Sequence, residues 1–290
     1  MSNLNPFKIL SNLENQKSEA KKLSITDAVV AAISYILISW FTLGIGFSVI
    51  RSFSNSILQL LLSIFAVGVT FFAVTAVFYA YYITNLGKDK IKIRLVKKFT
   101  LINALLLVLI VLGYLMFFDS LLMPIDKILP GFISVTESIQ LINKNSIFFI
   151  GYLCIIGPLL TEFVFRGIII GGLSKKYSSL KTILVSSLLF GISTFNPAGF
   201  ICAFLLGILL GYLYIKTHSL YLCIIGDILY SATTSILLQY YPQFLLLISS
   251  NTLIIVLLTI IGLLIIYFGM KKLSSNIENQ YKTNIDLNRR

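Results

Sequence analysis

Long apolar runs separated by short polar segments dominate the chain. The runs are continuous rather than alternating, and most are close to the 20 residues that an α-helix needs to cross a bilayer. A β-barrel would instead show alternating segments of about ten residues. The predicted spans are 25–50, 57–83, 99–118, 146–173, 180–195, 198–215, 219–240 and 244–270. We therefore predict an all-α polytopic membrane bundle of about eight transmembrane helices.

The basic residues lie mostly between these runs and set the predicted orientation. If the N-terminus is inside, the inside segments hold 19 of the 23 Lys and Arg residues. This positive-inside bias predicts a multi-pass protein of the cell membrane with both termini in the cytoplasm. The net charge of +12 is therefore expected to meet anionic lipid headgroups, and not nucleic acid.

The pattern divides the chain into five segments. Residues 1–23 form a predicted cytoplasmic tail, and 24–145 hold the first helices and an extracellular loop. Residues 146–240 are the core helices, 241–270 the last span, and 271–290 a cytoplasmic tail. Two alternatives stay open: the amphipathic stretch 129–143 is a docking surface or an ordered cap, and the N-terminal tail is an interfacial helix or solvated.

Three ionisable residues lie deep inside predicted spans, namely Glu162, Arg166 and Asp227. Each costs about 2.5–3.5 kcal/mol at the centre of an isolated helix, so inward-facing partners are expected. Counted from the cytoplasmic boundary, Arg166 and Asp227 are both about 12–14 Å deep. Glu162 and Thr194 share the next depth. We predict one polar cluster, which either binds a ligand or only locks the bundle as a buried ion network.

The stretch PLLTEFVFRG, residues 158–167, resembles the first motif of the CPBP family. This family comprises type II CAAX prenyl proteases and bacteriocin self-immunity proteins, also called Abi proteins. The family pattern is Glu-Glu-x-x-x-Arg ending in Phe-Arg-Gly. Thr161 replaces the first glutamate, whereas Glu162 and Arg166 match.

The second and third family motifs also have counterparts here. LLFGISTFN, residues 188–196, resembles Phe-x-x-x-His, with Thr194 at the histidine position. In GYLYIKTHSLYLCIIGDILYSATT, Asp227 stands at the histidine position of His-x-x-x-Asn, and Ser231 follows four residues later. The resemblance covers about residues 146–240 and implies a CPBP-like core.

The departures from the motifs predict that catalysis is lost. In the family, the first glutamate activates water and the histidines assist it, but neither Thr161 nor Thr194 titrates near neutral pH. The chain's single histidine, His218, lies in a predicted turn before the seventh span. The site is thus expected to bear no catalytic residues, and its residual polar cluster would be Glu162, Arg166, Thr194, Asp227 and Ser231. We expect no cofactor and no metal, since the remaining ligands do not approach a tetrahedral nitrogen and sulfur set.

The resemblance implies an inactive scaffold or regulator of another integral or membrane-anchored protein, such as a cell-wall hydrolase or sensor kinase of a Gram-positive bacterium. The alternatives are an intramembrane protease with an altered site, which would use Glu162 or Asp227 as its base, and a bacteriocin self-immunity protein. A transporter is disfavoured because no two-halved repeat is visible. Ala203, Gly207 and Gly211 form a stripe of small residues, which packs either against a partner or within the bundle.

Overall fold

The computed structural model describes residues 5–15, 17–45, 56–85, 100–128, 152–194, 197–240 and 251–288. These residues are almost entirely helical, which confirms the predicted all-α membrane bundle. Four stretches, residues 152–156, 157–162, 163–170 and 171–173, form one composite helix, called α5 here. The other elements are α1 (Pro6–Glu14), β1 (Ser18–Ala20), α2 (Ile25–Ser39, continued by the π-helical segment Trp40–Ile45), α3 (Ser56–Tyr82), β2 (Ile83–Asn85), α4 (Leu101–Ile128), α6 (Ser179–Ile192), α7 (Pro197–Thr217), α8 (Leu220–Tyr240) and α9 (Thr252–Asn288).

Seven of these helices are long and apolar enough to cross a membrane. The remaining predicted span, 180–195, is the fifth along the chain and corresponds to α6, which has 14 residues. Such a helix is about 21 Å long, less than the hydrocarbon core. The predicted count of eight is therefore not confirmed. The amphipathic stretch 129–143 lies outside the described residues.

Two apolar clusters hold the bundle together, and α8 contributes to both. The first joins α1, α2, α3 and α5, with Phe78 and Phe165 fully buried at its centre. The second joins α4, α7, α8 and α9 around Tyr114 and Leu273. Because α8 bridges the two clusters, a polar side chain on it can meet α5 inside the protein.

The N-terminal segment packs against the bundle. In α1, Ile9 and Leu10 are buried, and β1 pairs antiparallel with β2 just after α3. Leu23 donates its N–H to the carbonyl of Gly172 at the end of α5. Of the two readings of this tail, the structure agrees with an ordered helix, and that helix docks on protein.

The carboxylate of Glu14 caps the start of α8. The Ser219 hydroxyl donates to one oxygen of Glu14 at 2.7 Å, and the Leu220 N–H donates to the other at 2.6 Å. The first N–H groups of a helix have no partner within it and carry positive partial charge, so an acidic side chain stabilises them. A residue of the N-terminal tail thereby fixes the helix that carries Asp227.

The stripe of small residues in α7 is used inside the bundle. A Cβ atom on Gly207 would lie 2.9 Å from the Cβ of Ser187 in α6, so the two backbones approach too closely for a side chain there. Gly211 faces Ile170 and Ile183, and Ala203 is buried. This stripe therefore packs α7 against α5 and α6, which resolves the alternative in favour of internal packing.

A second close approach joins α4 and α9, which make the most extensive helix contact in the described part of the chain. A Cβ on Gly262 would lie 2.6 Å from the carbonyl oxygen of Gly113. Past this crossing, α9 continues as a helix to Asn288, through most of the segment 271–290 that the sequence suggested to be a tail.

Candidate functional site

The candidate site begins on α5, where Glu162 and Arg166 form a buried ion pair. Their side chains are 0% and 1% exposed, and Arg166 Nη1 lies 2.5 Å from Glu162 Oε1. Glu162 ends an α-helical turn, and residues 163–170 continue with the wider π-helical turn, in which the Gly171 N–H donates to the Arg166 carbonyl. Such turns occur often at functional sites because they alter the direction in which side chains project.

Asp227 on α8 joins this pair from the facing helix. Asp227 is 4% exposed, and the Thr161 hydroxyl donates a hydrogen bond to its Oδ2 at 3.1 Å. Arg166 interacts electrostatically with both carboxyl groups, and Asp227 also interacts with Ser231 one turn further along α8. The structure thus brings Glu162, Arg166 and Asp227 together, as their similar depth in the sequence suggested, and Ser231 lies beside Asp227.

An aromatic side chain covers the guanidinium group. The Arg166 guanidinium carbon lies 4.8 Å from the ring centroid of Phe190, within cation–π range. Phe190 in turn contacts Phe165, with ring centroids 5.1 Å apart. Phe190 belongs to the second motif, so this motif contributes an aromatic cover to the site.

Thr194 does not share the burial of the other cluster residues. It follows the last turn of α6, is exposed, and its hydroxyl donates to the Gly191 carbonyl at 2.8 Å. The cluster members Glu162 and Arg166 are fully enclosed. Equal depth along neighbouring helices therefore did not predict equal burial, because depth leaves the rotation of a helix about its axis undetermined.

The single histidine is also remote from the acidic cluster. His218 lies in the turn between α7 and α8, with a positive φ of 49°. Asp227 comes nine residues later, about 13 Å along the helix axis. His218 therefore lies before the start of α8, more than two helical turns from the level of Asp227.

Arg166 keeps unused hydrogen-bond capacity. Within the described part of the chain, its buried Nε and Nη2 atoms have no hydrogen-bond partner. A buried donor without an acceptor costs about 1–3 kcal/mol. The cluster is thus an ion network whose hydrogen bonds are incompletely satisfied on the guanidinium side.

Among the described residues, no three His, Cys, Asp or Glu side chains are grouped as metal ligands. Glu162 and Asp227 alone approach one another. Cys154 lies near by, but its thiol faces the Ser231 carbonyl at 3.7 Å and the Ser235 hydroxyl at 3.5 Å. These residues do not fit a zinc site, which needs three protein ligands at least.

Sequence reasoning missed two residues that shape the site. Thr161 was assigned only as a lost glutamate, yet its hydroxyl reaches Asp227. Ser186 on α6 donates to the Phe165 carbonyl at 3.0 Å inside the protein. Ser and Thr side chains inside an apolar helix often donate to the backbone of their own helix. Their position in the sequence alone therefore does not reveal contacts with another helix.

Comparison with known protein families gives a match, and it covers the segment that holds the candidate site. Residues 143–233 match the family described as type II CAAX prenyl endopeptidase Rce1-like. The match covers α5, α6, α7 and the first two thirds of α8, and it confirms the resemblance seen in the three motifs. No curated protein and no solved structure matches the chain.

Proposed function

Because residues 143–233 form a segment similar to type II CAAX prenyl endopeptidases, we propose that this chain is a catalytically inactive CPBP-like membrane protein that binds and regulates another membrane protein. The observation that carries the proposal is the state of the first motif. Thr161 stands where the family has its water-activating glutamate, and the remaining acid, Glu162, is enclosed and paired with Arg166.

The chemistry supports this assignment. Hydrolysis needs a general base that reaches a water molecule beside the scissile carbonyl. It also needs hydrogen-bond donors directed at the developing oxyanion. Glu162 is paired with a cation, and Asp227 accepts a hydrogen bond from Thr161. Neither carboxylate can donate a hydrogen bond to an oxyanion while it is ionised.

The unsatisfied guanidinium supports a binding role. Arg166 retains two nitrogens without a hydrogen-bond partner in the described chain, so an acceptor on a partner that gained access to this enclosed group would be stabilised there. The partner proposed is an integral or membrane-anchored protein of a Gram-positive bacterium, of the cell-wall hydrolase or sensor kinase class. Bacteriocin self-immunity is a variant of the same binding function.

A protease with altered machinery is the second candidate, and one observation favours it. Glu162 and Asp227 interact with each other across two helices. Two neighbouring carboxyl groups that share a proton are the arrangement by which aspartic proteases activate water. This candidate requires water to reach both groups.

One experiment, which combines cross-linking with a cleavage assay, distinguishes the two proposed functions. Full-length protein is purified from native membranes after in vivo cross-linking, and is assayed in parallel for cleavage of prenylated CAAX peptides. We expect no cleavage by the wild type, and a cross-linked membrane partner whose abundance or activity falls when the gene is deleted.

Glu162→Gln and Asp227→Asn serve as the chemical controls. Cleavage that the wild type performs and either variant loses would establish the protease and refute the proposal. Absence of any partner whose abundance or activity depends on the gene would refute the regulator, whatever the cleavage result.

A further inference from the structure

A groove with a volume of about 970 Å³ runs between α7 and α9. Neither Glu162, Arg166 nor Asp227 lines it, so it is separate from the candidate site. Its lining residues on α9 recur every three or four positions from Leu263 to Ser274, which places them along one helix face over about 16 Å. The groove is therefore long and narrow, and follows the direction of the membrane-spanning helices.

The chemistry of the lining changes from one end to the other. The end formed by the lower-numbered residues is apolar and is lined by Ile208, Leu209, Leu263 and Ile266. The other end carries Lys216 from α7 and Lys271, Ser274 and Ser275 from α9. In both helices the lysine follows these four apolar residues along the chain, and on α9 one further apolar residue, Ile277, comes after the serines. This end therefore lies at the predicted cytoplasmic boundary, where the last turn of α7 meets the basic part of α9.

Two features of the polar end point to an anion. Lys216 and Lys271 are both exposed, and they belong to different helices that converge on the same groove. The Ser274 hydroxyl oxygen is buried, and within the described residues it has no hydrogen-bond partner. An acidic oxygen bound between the lysines would meet both ammonium groups and accept from this hydroxyl.

We propose that this groove is a binding site for an anionic phospholipid, with an acyl chain along the apolar part and the phosphate between Lys216 and Lys271. The ligand class follows from the order of the lining, since a lipid has its apolar and anionic parts in the same order along its length. This site is independent of the proposed function. Basic residues are generally attracted to anionic membranes, and this site would be one defined location of that attraction.

The same features disfavour a second copy of the chain in the groove. Copies in one membrane are usually related by a two-fold axis, which makes the two contact surfaces identical. With the axis along the membrane normal, Lys216 and Lys271 of both copies would lie at the same depth in one interface. Four like charges at one level oppose association, whereas an anionic headgroup neutralises them.

The test uses the full chain, delipidated in detergent and titrated with phosphatidylglycerol or phosphatidylcholine, with bound lipid counted by native mass spectrometry. We expect the wild type to retain phosphatidylglycerol in preference to phosphatidylcholine. Lys216→Gln/Lys271→Gln should weaken phosphatidylglycerol binding about 30-fold, which corresponds to about 1 kcal/mol for each lysine near an anionic lipid.

Lys176→Gln/Lys181→Gln is the matched control. These two lysines are exposed, lie outside the groove and stack on Tyr177, as Lys216 stacks on Tyr212. The double variant removes the same charge, and we expect less than a twofold change. An equal loss in both double variants would show a general charge effect and overturn the site.

A further variant and a water-soluble probe distinguish binding of the whole lipid from binding of its phosphate alone. Ile266→Trp fills the apolar part and should weaken phosphatidylglycerol binding, while leaving the lysines in place. If inorganic phosphate at millimolar concentration displaces the lipid, or if the wild type proves dimeric through this face, the lipid site is wrong.

Labelling with a photoactivatable phosphatidylglycerol locates the site in the wild type and needs no variant to fold. Cross-links are expected on residues 208–216 and 263–275. Labelling spread evenly over the other membrane-facing helices would contradict the proposal.

Discussion

Two regions of this protein use acidic and basic side chains to join helices, and they do so in different surroundings. In the cluster between α5 and α8, Glu162 and Arg166 are 0% and 1% exposed. At the end of α5, Glu19 of β1 pairs with Lys175 at 2.9 Å, but these side chains are 45% and 31% exposed. The residue types are alike, while the access of water differs.

The comparison teaches that the environment decides what an ion pair contributes. Charges in a dry interior interact strongly, but each has lost its hydration, so removal of one partner leaves the other uncompensated. Charges at the surface stay hydrated, and their pairing contributes about 0–1 kcal/mol. Glu14 is intermediate, because it is partly buried and bonds to the N-terminus of α8.

The largest effect is expected for Arg166→Met. This change leaves Glu162 buried without its cation, and we expect a loss of about 3–5 kcal/mol in the free energy of unfolding. Denaturant or thermal unfolding of the purified protein in detergent measures it.

The triple variant Glu162→Gln/Arg166→Met/Asp227→Asn removes the cation and both carboxylates that interact with it, and serves as the control. It should recover most of the loss, because neutral side chains have no large desolvation cost. A cost below 1 kcal/mol for Arg166→Met alone would mean that water reaches the cluster and that the two regions do not differ as described.

A medium effect is expected for Glu14→Ala. The change removes the acceptor for the Ser219 hydroxyl and for the N–H groups of Leu220 and Tyr221. Loss of a helix cap costs typically about 1 kcal/mol and up to 2. Hydrogen exchange of the Leu220 and Tyr221 amides should become faster.

Glu14→Gln keeps one acceptor oxygen without the charge, so its exchange rates should lie between those of the wild type and Glu14→Ala. Unchanged exchange in both variants would indicate that the N-terminal segment does not hold α8 in solution.

The smallest effect is expected for Glu19→Gln. Its pair with Lys175 is exposed, so the free energy of unfolding should change by no more than about 0.5 kcal/mol, and less at high salt. Lys175→Gln should cost more, because Lys175 also donates to the Ala20 carbonyl at 2.7 Å. A salt-independent loss above 2 kcal/mol for Glu19→Gln would contradict the contrast with the buried pair.

Much of the fold was predictable from hydrophobic length alone. The apolar runs predicted the helical class and eight spans, seven of which correspond to helices long enough to cross a membrane, because hydrocarbon leaves the backbone few other ways to satisfy its hydrogen bonds there. The ends of helices were not predictable to the same degree. Helix α9 runs to Asn288, well beyond the apolar part, since a polar sequence can remain helical in water. Likewise α4 extends to Ile128.

The candidate site was predictable only in part. Glu162, Arg166 and Asp227 stood out because charges are costly within a span, and the structure brings them together. Thr194 did not follow, because a hydroxyl can satisfy itself on the Gly191 carbonyl of its own helix. A charged group has no such local solution, so its position carries more information about contacts between helices.

The sequence by itself determined that this protein is a membrane helix bundle, that three charged residues lie inside it, and that residues 146–240 resemble the core of type II CAAX prenyl proteases. Only the tertiary structure decided which groups touch: Thr161 with Asp227, Phe190 over Arg166, and the tail residue Glu14 at the start of α8. Composition and periodicity act along one helix. Contacts between helices depend on rotation about each axis and on close backbone approach, and these are fixed only when all the helices pack.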